Sequence, residues 1–362
     1  MVQPDVTCSD ESWPLFRGNS FASGVAASAL PESLAVQWRY EVPDGAFEGT
    51  PVIAQGTVYL GDVDGTLYAL DLVTGKERWK YKIDSGFLAS AAFHDGRVFI
   101  GDYDGRFHCV DAQSGEKQWV YETAAEINSS GNFFQGRVLF GSQDATLYCV
   151  NIADGELAWQ HTIQDQIRCS PTLVAGRCFV AGCDGALHII DLETGKPSAS
   201  VPINAPTGVT PAVQGDRVYF GTEAGEIFGV DWRQAKVIWT YADPRSAQPI
   251  RSCAAVHNDW VIIGGRSKKV YALSAETGEL KWFFPVQRRI DSSPVIVGQR
   301  VFVGAGDGRL YALNLNDGRK LWEHETGAGF IGSPAVAQNR LVIANNAGVV
   351  FCFGDAKDHS SK

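Results

Sequence analysis

Apolar and polar positions alternate in short runs along this chain, and the runs recur in a fixed order. One clear unit starts at Thr50-Pro51 and runs through Val58 to Gly61. It resumes after Asp64-Gly65 through Leu67, Tyr68, Ala69 and Leu70 to Asp71, and ends after Thr74-Gly75 at Trp79. Such short runs of Val, Leu and Tyr, bounded by Gly and Asp, predict strands joined by turns. Asp64-Gly65 between two apolar runs is a hairpin signal, because a two-residue turn needs positive φ. From Asp71 to Gly75 the carboxylate can accept from nearby backbone amides, and the glycine takes the left-handed position. The unit is predicted as four antiparallel strands, A to D, with Trp79 on strand D. No segment of useful length carries a helical period.

Tryptophan marks the repeat. Trp38, Trp79, Trp119, Trp159, Trp239, Trp282 and Trp322 stand about forty residues apart, and the one gap falls at Ala199. Strand B ends at Gly61, Gly101, Gly141, Ala181, Gly221, Gly264, Gly304 and Ala344. The hairpin Asp-Gly recurs at Asp104-Gly105, Asp184-Gly185 and Asp307-Gly308, and weakens to Asp144-Ala145 and Ser267-Lys268. A sheet of this size cannot bury both faces alone, whereas eight stacked radially bury one another. The last copy, Ser333-Pro334 to Phe353, lacks its Trp strand. The first Trp strand, residues 35–41, has no A to C strands before it. The expected fold is all-β: an eight-bladed β-propeller of four-stranded antiparallel blades, closed by the N-terminal strand completing the C-terminal blade. Residues 34–354 would form the ring, residues 1–33 a leader packing on it, and residues 355–362 a polar tail.

The net charge of −10 argues against nucleic acid or an anionic membrane surface as a partner. No apolar run of about 18 residues predicts a spanning helix, and no N-terminal apolar segment reads as a signal peptide. The sequence leaves the compartment open. The eight cysteines show no CxxC or His/Cys spacing for a metal. Cys109, Cys149 and Cys352 hold the strand-C position taken elsewhere by Ala69, Ala272 and Ala312, and read as small core residues. Cys169 and Cys183 lie near one another in the fourth blade, where a bridge is the alternative to free thiols. His108 and His188 stand where Tyr68 stands, and read as strand-surface residues.

The Leu-Tyr-Ala-Leu-Asp-x-x-Thr-Gly-x-x-x-Trp run of residues 67–79 resembles the tryptophan-docking motif of the PQQ-repeat, quinoprotein-like, eight-bladed propellers. The likeness covers residues 34–354, with departures at Ala199 for the Trp and Ala235 for the motif Gly. The leader Trp13-Pro14-Leu15-Phe16-Arg17-Gly18-Asn19 is similar to the opening segment of such propellers. The resemblance implies that each Trp ring stacks at a blade-to-blade contact, so that the seven girdle the ring. Two branches of the family bear on function. Quinoprotein dehydrogenases carry PQQ and calcium over the funnel. The propeller of the outer-membrane β-barrel assembly machinery carries no cofactor and acts as a scaffold. This chain has the bare ring of the second branch: it has no adjacent Cys-Cys pair, no long insertions between strands and no CxxCH haem motif. For a chain whose leader peptide has been removed, the resemblance implies a periplasmic or exported protein.

Two sets of residues remain as site candidates. Two positions before the Thr50-equivalent residue, at the channel mouth, the blades present Glu48, Leu88, Asn128, Arg168, Gly208, Arg251, Asp291 and Ile331. The ring of Glu48, Asn128, Arg168, Arg251 and Asp291 could hold a cation on its carboxylates or fork a carboxylate ligand on its arginines. Alternatively, these charges pair with one another across a wet channel. The second set is basic: residues 245–289 carry Arg245, Arg251, Arg266, Lys268, Lys269, Lys281, Arg288 and Arg289 against Asp259, Glu276 and Glu279. All but Lys281 fall in connections expected on one face of the sixth blade. The competing readings are a solvated surface and a docking sector for an acidic partner. The chain is expected to be a monomeric, non-catalytic scaffold for protein partners. A PQQ/calcium-dependent dehydrogenase, or a sensor of some other small ligand at the funnel ring, is the alternative.

Overall fold

A computed structural model describes residues 6–357 of the chain. Residues 1–5 of the expected leader and 358–362 of the expected tail lie outside the described residues. Eight separate four-stranded antiparallel sheets make up the ring. In blade 1 strand A is Val52–Ala54, B is Thr57–Gly61, C is Thr66–Asp71 and D is Glu77–Lys82. Blades 2 to 7 repeat that plan. Blade 8 takes A to C from Ala335–Ala337, Arg340–Ala344 and Val349–Asp355, and its outer strand from Leu34–Glu41. Trp38 lies opposite Cys352 in that closing pair.

The core lies between blades. One cluster joins Leu139, Leu147 and Cys149 of blade 3 to Cys178, Val180 and Ile190 of blade 4. Near the axis, hydroxyls form a belt. The Thr50 N–H donates to Ser90 Oγ, Ser130 to Ser170, Ser170 to Thr210, Cys253 to Ser293, Ser293 to Ser333, and Ser333 back to Thr50 Oγ1, all at 2.8–2.9 Å. Cys253 Sγ substitutes for a hydroxyl and accepts from Thr210 N–H at 3.3 Å. Each bond joins one blade to the next and satisfies a buried amide.

Six of the seven indoles repeat one contact. Trp38, Trp79, Trp119, Trp159, Trp239 and Trp282 donate Nε1–H to Leu72, Ala112, Ile152, Leu192, Ala275 and Leu315 carbonyls of the next blade, at 2.9–3.1 Å. Each ring covers that blade's turn glycine. A Cβ on Gly195 would stand 2.5 Å from Trp159 Cε3, and one on Gly75 equally close to Trp38. Trp322 has no such turn to cover and packs edge-on against Phe353. The blade 4–5 contact, which has no outer-strand indole, is rebuilt from both sides. Ile189 faces Ala199 across the strand pair, where the other blades have Ala, Cys or Gly. Trp232 of blade 5 supplies an indole instead, edge-on to Phe179 at 5.5 Å. Ala235, with φ 50°, replaces the turn glycine that no indole covers there.

The small strand-C residues, including Cys109, Cys149 and Cys352, lie opposite indoles and are fully buried. All eight cysteines are free thiols, Cys169 and Cys183 among them. The surface reading of the two histidines is corrected. His108 is only 2 % exposed, bonded through Nε2 to Asp102 at 3.0 Å and through Nδ1 to Tyr81 OH at 3.0 Å. His188 contacts Asp184 at 2.9 Å. Both stand in for the Tyr68 OH that donates to Asp62, so the position is a partner for a hairpin carboxylate, buried at His108 and half-buried at His188.

Candidate functional site

The leader runs along the inner edges of the blades. The A strands are inner sheet edges whose free N–H groups need partners. Ile53 and Trp13 exchange backbone bonds, and Phe93, Leu173, Val213, Val256 and Ile296 N–H donate to Pro14, Ser20, Phe21, Ser23 and Gly24 carbonyls. Asn132 Nδ2 donates to Ser20 O in blade 3, and Gln338 N–H to Asp10 O in blade 8. The leader thus touches every blade, on the side of the A–B hairpins. Arg17, 1 % exposed, donates through Nη2 to Ala254 O and Pro294 O. Sequence reasoning did not single this residue out.

The other end is built from the B–C hairpins and the D–A connections, which backbone hydrogen bonds tie together in every blade. Examples are Arg266 N–H to Pro249 O, Gly306 N–H to Arg289 O and Asn346 N–H to Gly329 O. These connections therefore share one face.

On that face the polar ring is largely paired. Arg168 donates to Gln166 Oε1 at 2.6 Å and Asn128 to Glu126 Oε1 at 2.9 Å. Arg251 makes a fork with Glu223, and Arg266 a second fork with Asp291, which also takes Arg289 at 3.1 Å. Among the described residues no group donates to Glu48. Burial pushes its carboxyl above the ordinary value, and the Asp291 charge adds to that. The donor set does not fit calcium, which takes about 6–8 oxygens. Asp291 already serves two arginines, and among the described residues no three His, Cys, Asp or Glu converge.

The basic sector is narrower than its sequence window, because Asp259 inside that window and Glu223, Asp243 and Asp291 outside it neutralise most of its charges. Lys269 pairs with Asp243 at 2.6 Å, Lys281 with Asp259 at 2.7 Å, and Arg251, Arg266 and Arg289 are paired as above. Burial pushes the Asp243 carboxyl up, but Lys269, Tyr271 and the Arg245 N–H outweigh it and hold it at about 2. Arg245, Lys268 and Arg288 are exposed, with no carboxylate in ion-pair reach among the described residues. Lys268 and Arg288 line a cavity of about 450 Å³ together with Arg289, Asp291, Gly306, Gly329, Phe330, Ile331 and Asn346.

Fold and face define a PQQ-repeat-type eight-bladed propeller whose inner strand edges are paired by the leader. The family described as outer membrane protein assembly factor BamB matches residues 24–166, 126–252 and 243–357, and the chain belongs to that family. Solved structures with this fold include BamB from Moraxella catarrhalis, at 20% identity and TM-score 0.75 over 89% of this chain and 100% of that one. Quinohemoprotein alcohol dehydrogenase from Comamonas testosteroni shares it at 15% identity and TM-score 0.80, over 96% of this chain and 81% of that one. A 50-residue stretch is 46% identical to serine/threonine-protein kinase AfsK of Streptomyces griseus. It covers 12% of this chain and 6% of the kinase, so the match spans a small fraction of that protein. No helix among the described residues is long and apolar enough to cross a membrane.

Proposed function

We propose that this propeller is a non-catalytic scaffold that binds protein partners on its funnel face, with an acidic surface or segment as the preferred contact. The observation that carries this reading is Lys268 and Arg288 standing exposed, with no ion-pair partner among the described residues, on the face away from the leader. Family membership supports a protein partner, and the paired state of Arg168, Arg251 and Asp291 leaves little free chemistry at the ring. The test is cross-linking in the native organism with wild type and with a Lys268→Glu/Arg288→Glu double variant. Partners enriched by the wild type should be lost with the variant, most sharply at low salt. An identical partner set would refute the reading. Glu48, half-buried with no donor among the described residues and next to Asp291, supports a second reading, a small ligand at the ring. Micromolar binding of PQQ with Ca²⁺, abolished by Glu48→Gln or Asp291→Asn, would favour it over the scaffold.

A further inference from the structure

Two residues past the last strand-B residue named for each blade, every B–C hairpin has a position whose N–H bonds the preceding D–A connection. In chain order these positions, one beyond the hairpin's first residue, are Val63, Tyr103, Gln143, Cys183, Glu223, Arg266, Gly306 and Asn346. Seven have a side chain, and blade 7 has none. The missing group opens the cavity described above. Its floor is backbone against backbone: a Cβ on Gly329 would stand 3.1 Å from Gly306 O, and one on Gly306 3.0 Å from Arg289 O.

A second oddity lies on its rim. Six blades place glycine at the second hairpin position, with positive φ: Gly65, Gly105, Gly185, Gly225, Gly308 and Gly348. Blade 3 has Ala145 there, at φ 70°, and blade 6 has Lys268, at φ 64°. A lysine in the left-handed region is locally unfavourable, and strained positions of this kind cluster at ligand clamps. The strain puts an ammonium group beside Arg288 and over a gap that only glycine leaves open. The cavity holds Lys268, Arg288 and Arg289 against one acid, Asp291, and Phe330 and Ile331 give it an apolar wall. Asn346 adds an exposed amide with both donor and acceptor.

We infer that this cavity between blades 6, 7 and 8 is a socket for an acidic side chain of an extended partner segment, its carboxylate between Lys268 and Arg288 and an apolar neighbour against Ile331. The inference rests on the docking reading above and adds a single anchoring point to it. A guanidinium fork and an ammonium suit a carboxylate, and the apolar wall favours a peptide over a small free anion.

The probe is a fluorescein-labelled peptide, Gly-Glu-Phe-Asp-Gly, followed by anisotropy at low salt, with a Gly-Lys-Phe-Lys-Gly control and inorganic phosphate as competitor. Saturable binding of the acidic peptide alone is expected. Gly306→Gln, which fills the socket without changing charge, and Lys268→Gly, which restores the residue other blades use, should each weaken it by about tenfold or more. Lys268→Gly should keep or raise the melting temperature, so its loss of binding cannot be a folding defect. No saturable binding would overturn the socket, as would unchanged affinity in Gly306→Gln with loss only in Lys268→Gly, which would mean general attraction. Phosphate competing as well as the unlabelled peptide would overturn it in favour of a plain anion site. Cross-linked partners lost in Lys268→Glu/Arg288→Glu but retained in Gly306→Gln would leave the docking face standing and remove the socket.

Discussion

The contact between Trp159 and Gly195 can be converted into the one this chain already uses between blades 4 and 5. A Cβ on Gly195 would stand 2.5 Å from Trp159 Cε3 and 2.6 Å from Cδ2, and Gly195 has φ 67°. Gly195→Ala therefore incurs a left-handed term of about 1–2 kcal/mol and an overpacking term of about 1–3 kcal/mol. Trp159→Ala removes a half-buried ring and its bond to Leu192 O, at about 3 kcal/mol, the low end for this change. In the double variant the clash has no ring to meet, so the loss should be smaller than the sum of the singles by about 1–3 kcal/mol. Urea unfolding followed by far-UV circular dichroism, which does not depend on the deleted indole, measures all four corners of the cycle. Additivity within about 0.5 kcal/mol would refute the claim that the turn glycine is there to admit the indole. It would also leave the joint change at Ala199 and Ala235 unexplained.

Three further outcomes are expected. Deleting residues 1–43 removes the strand Leu34–Glu41 from blade 8 and exposes a sheet edge; light scattering should show oligomers or precipitate, and a monomer with an unchanged melting temperature would count against strand closure. Asp243 is held at about 2 in the folded chain, below its ordinary value near 3.9, so its contribution is present above about pH 4 and is lost as pH falls through about 2; the urea midpoint of Asp243→Asn should fall less than that of the wild type over that interval. Ser170→Ala leaves the buried Ser130 N–H without its acceptor and should cost about 1–3 kcal/mol, whereas Cys253→Ser, which places in the belt the hydroxyl other blades use, should stay within about 1 kcal/mol of wild type by the same unfolding measurement.

The ring was legible in the sequence because each blade repeats a local code. The Asp-Gly hairpin, the Thr-Gly turn and the outer Trp fix strand order and register within about forty residues, and stacking follows from faces that no single blade can bury. The departures at Ala199 and Ala235 were equally legible as letters, but not that they meet in one contact with Ile189 and Trp232. The funnel ring and the basic sector could be placed on a face by counting connections. Their state could not be counted, since Arg251 finds Glu223 from the preceding blade and Arg266 finds Asp291 from the following connection.

The sequence by itself thus determined the architecture: eight blades, antiparallel order, strand closure and the face on which each connection emerges. These are consequences of local turn chemistry and period. Only the tertiary structure decided which charges are free, that the leader covers the inner edges at one end, and that the blade 7 hairpin leaves a gap beside Lys268 and Arg288. Each of those depends on distances between blades, and ion pairing and burial act through space at a few ångströms regardless of separation along the chain.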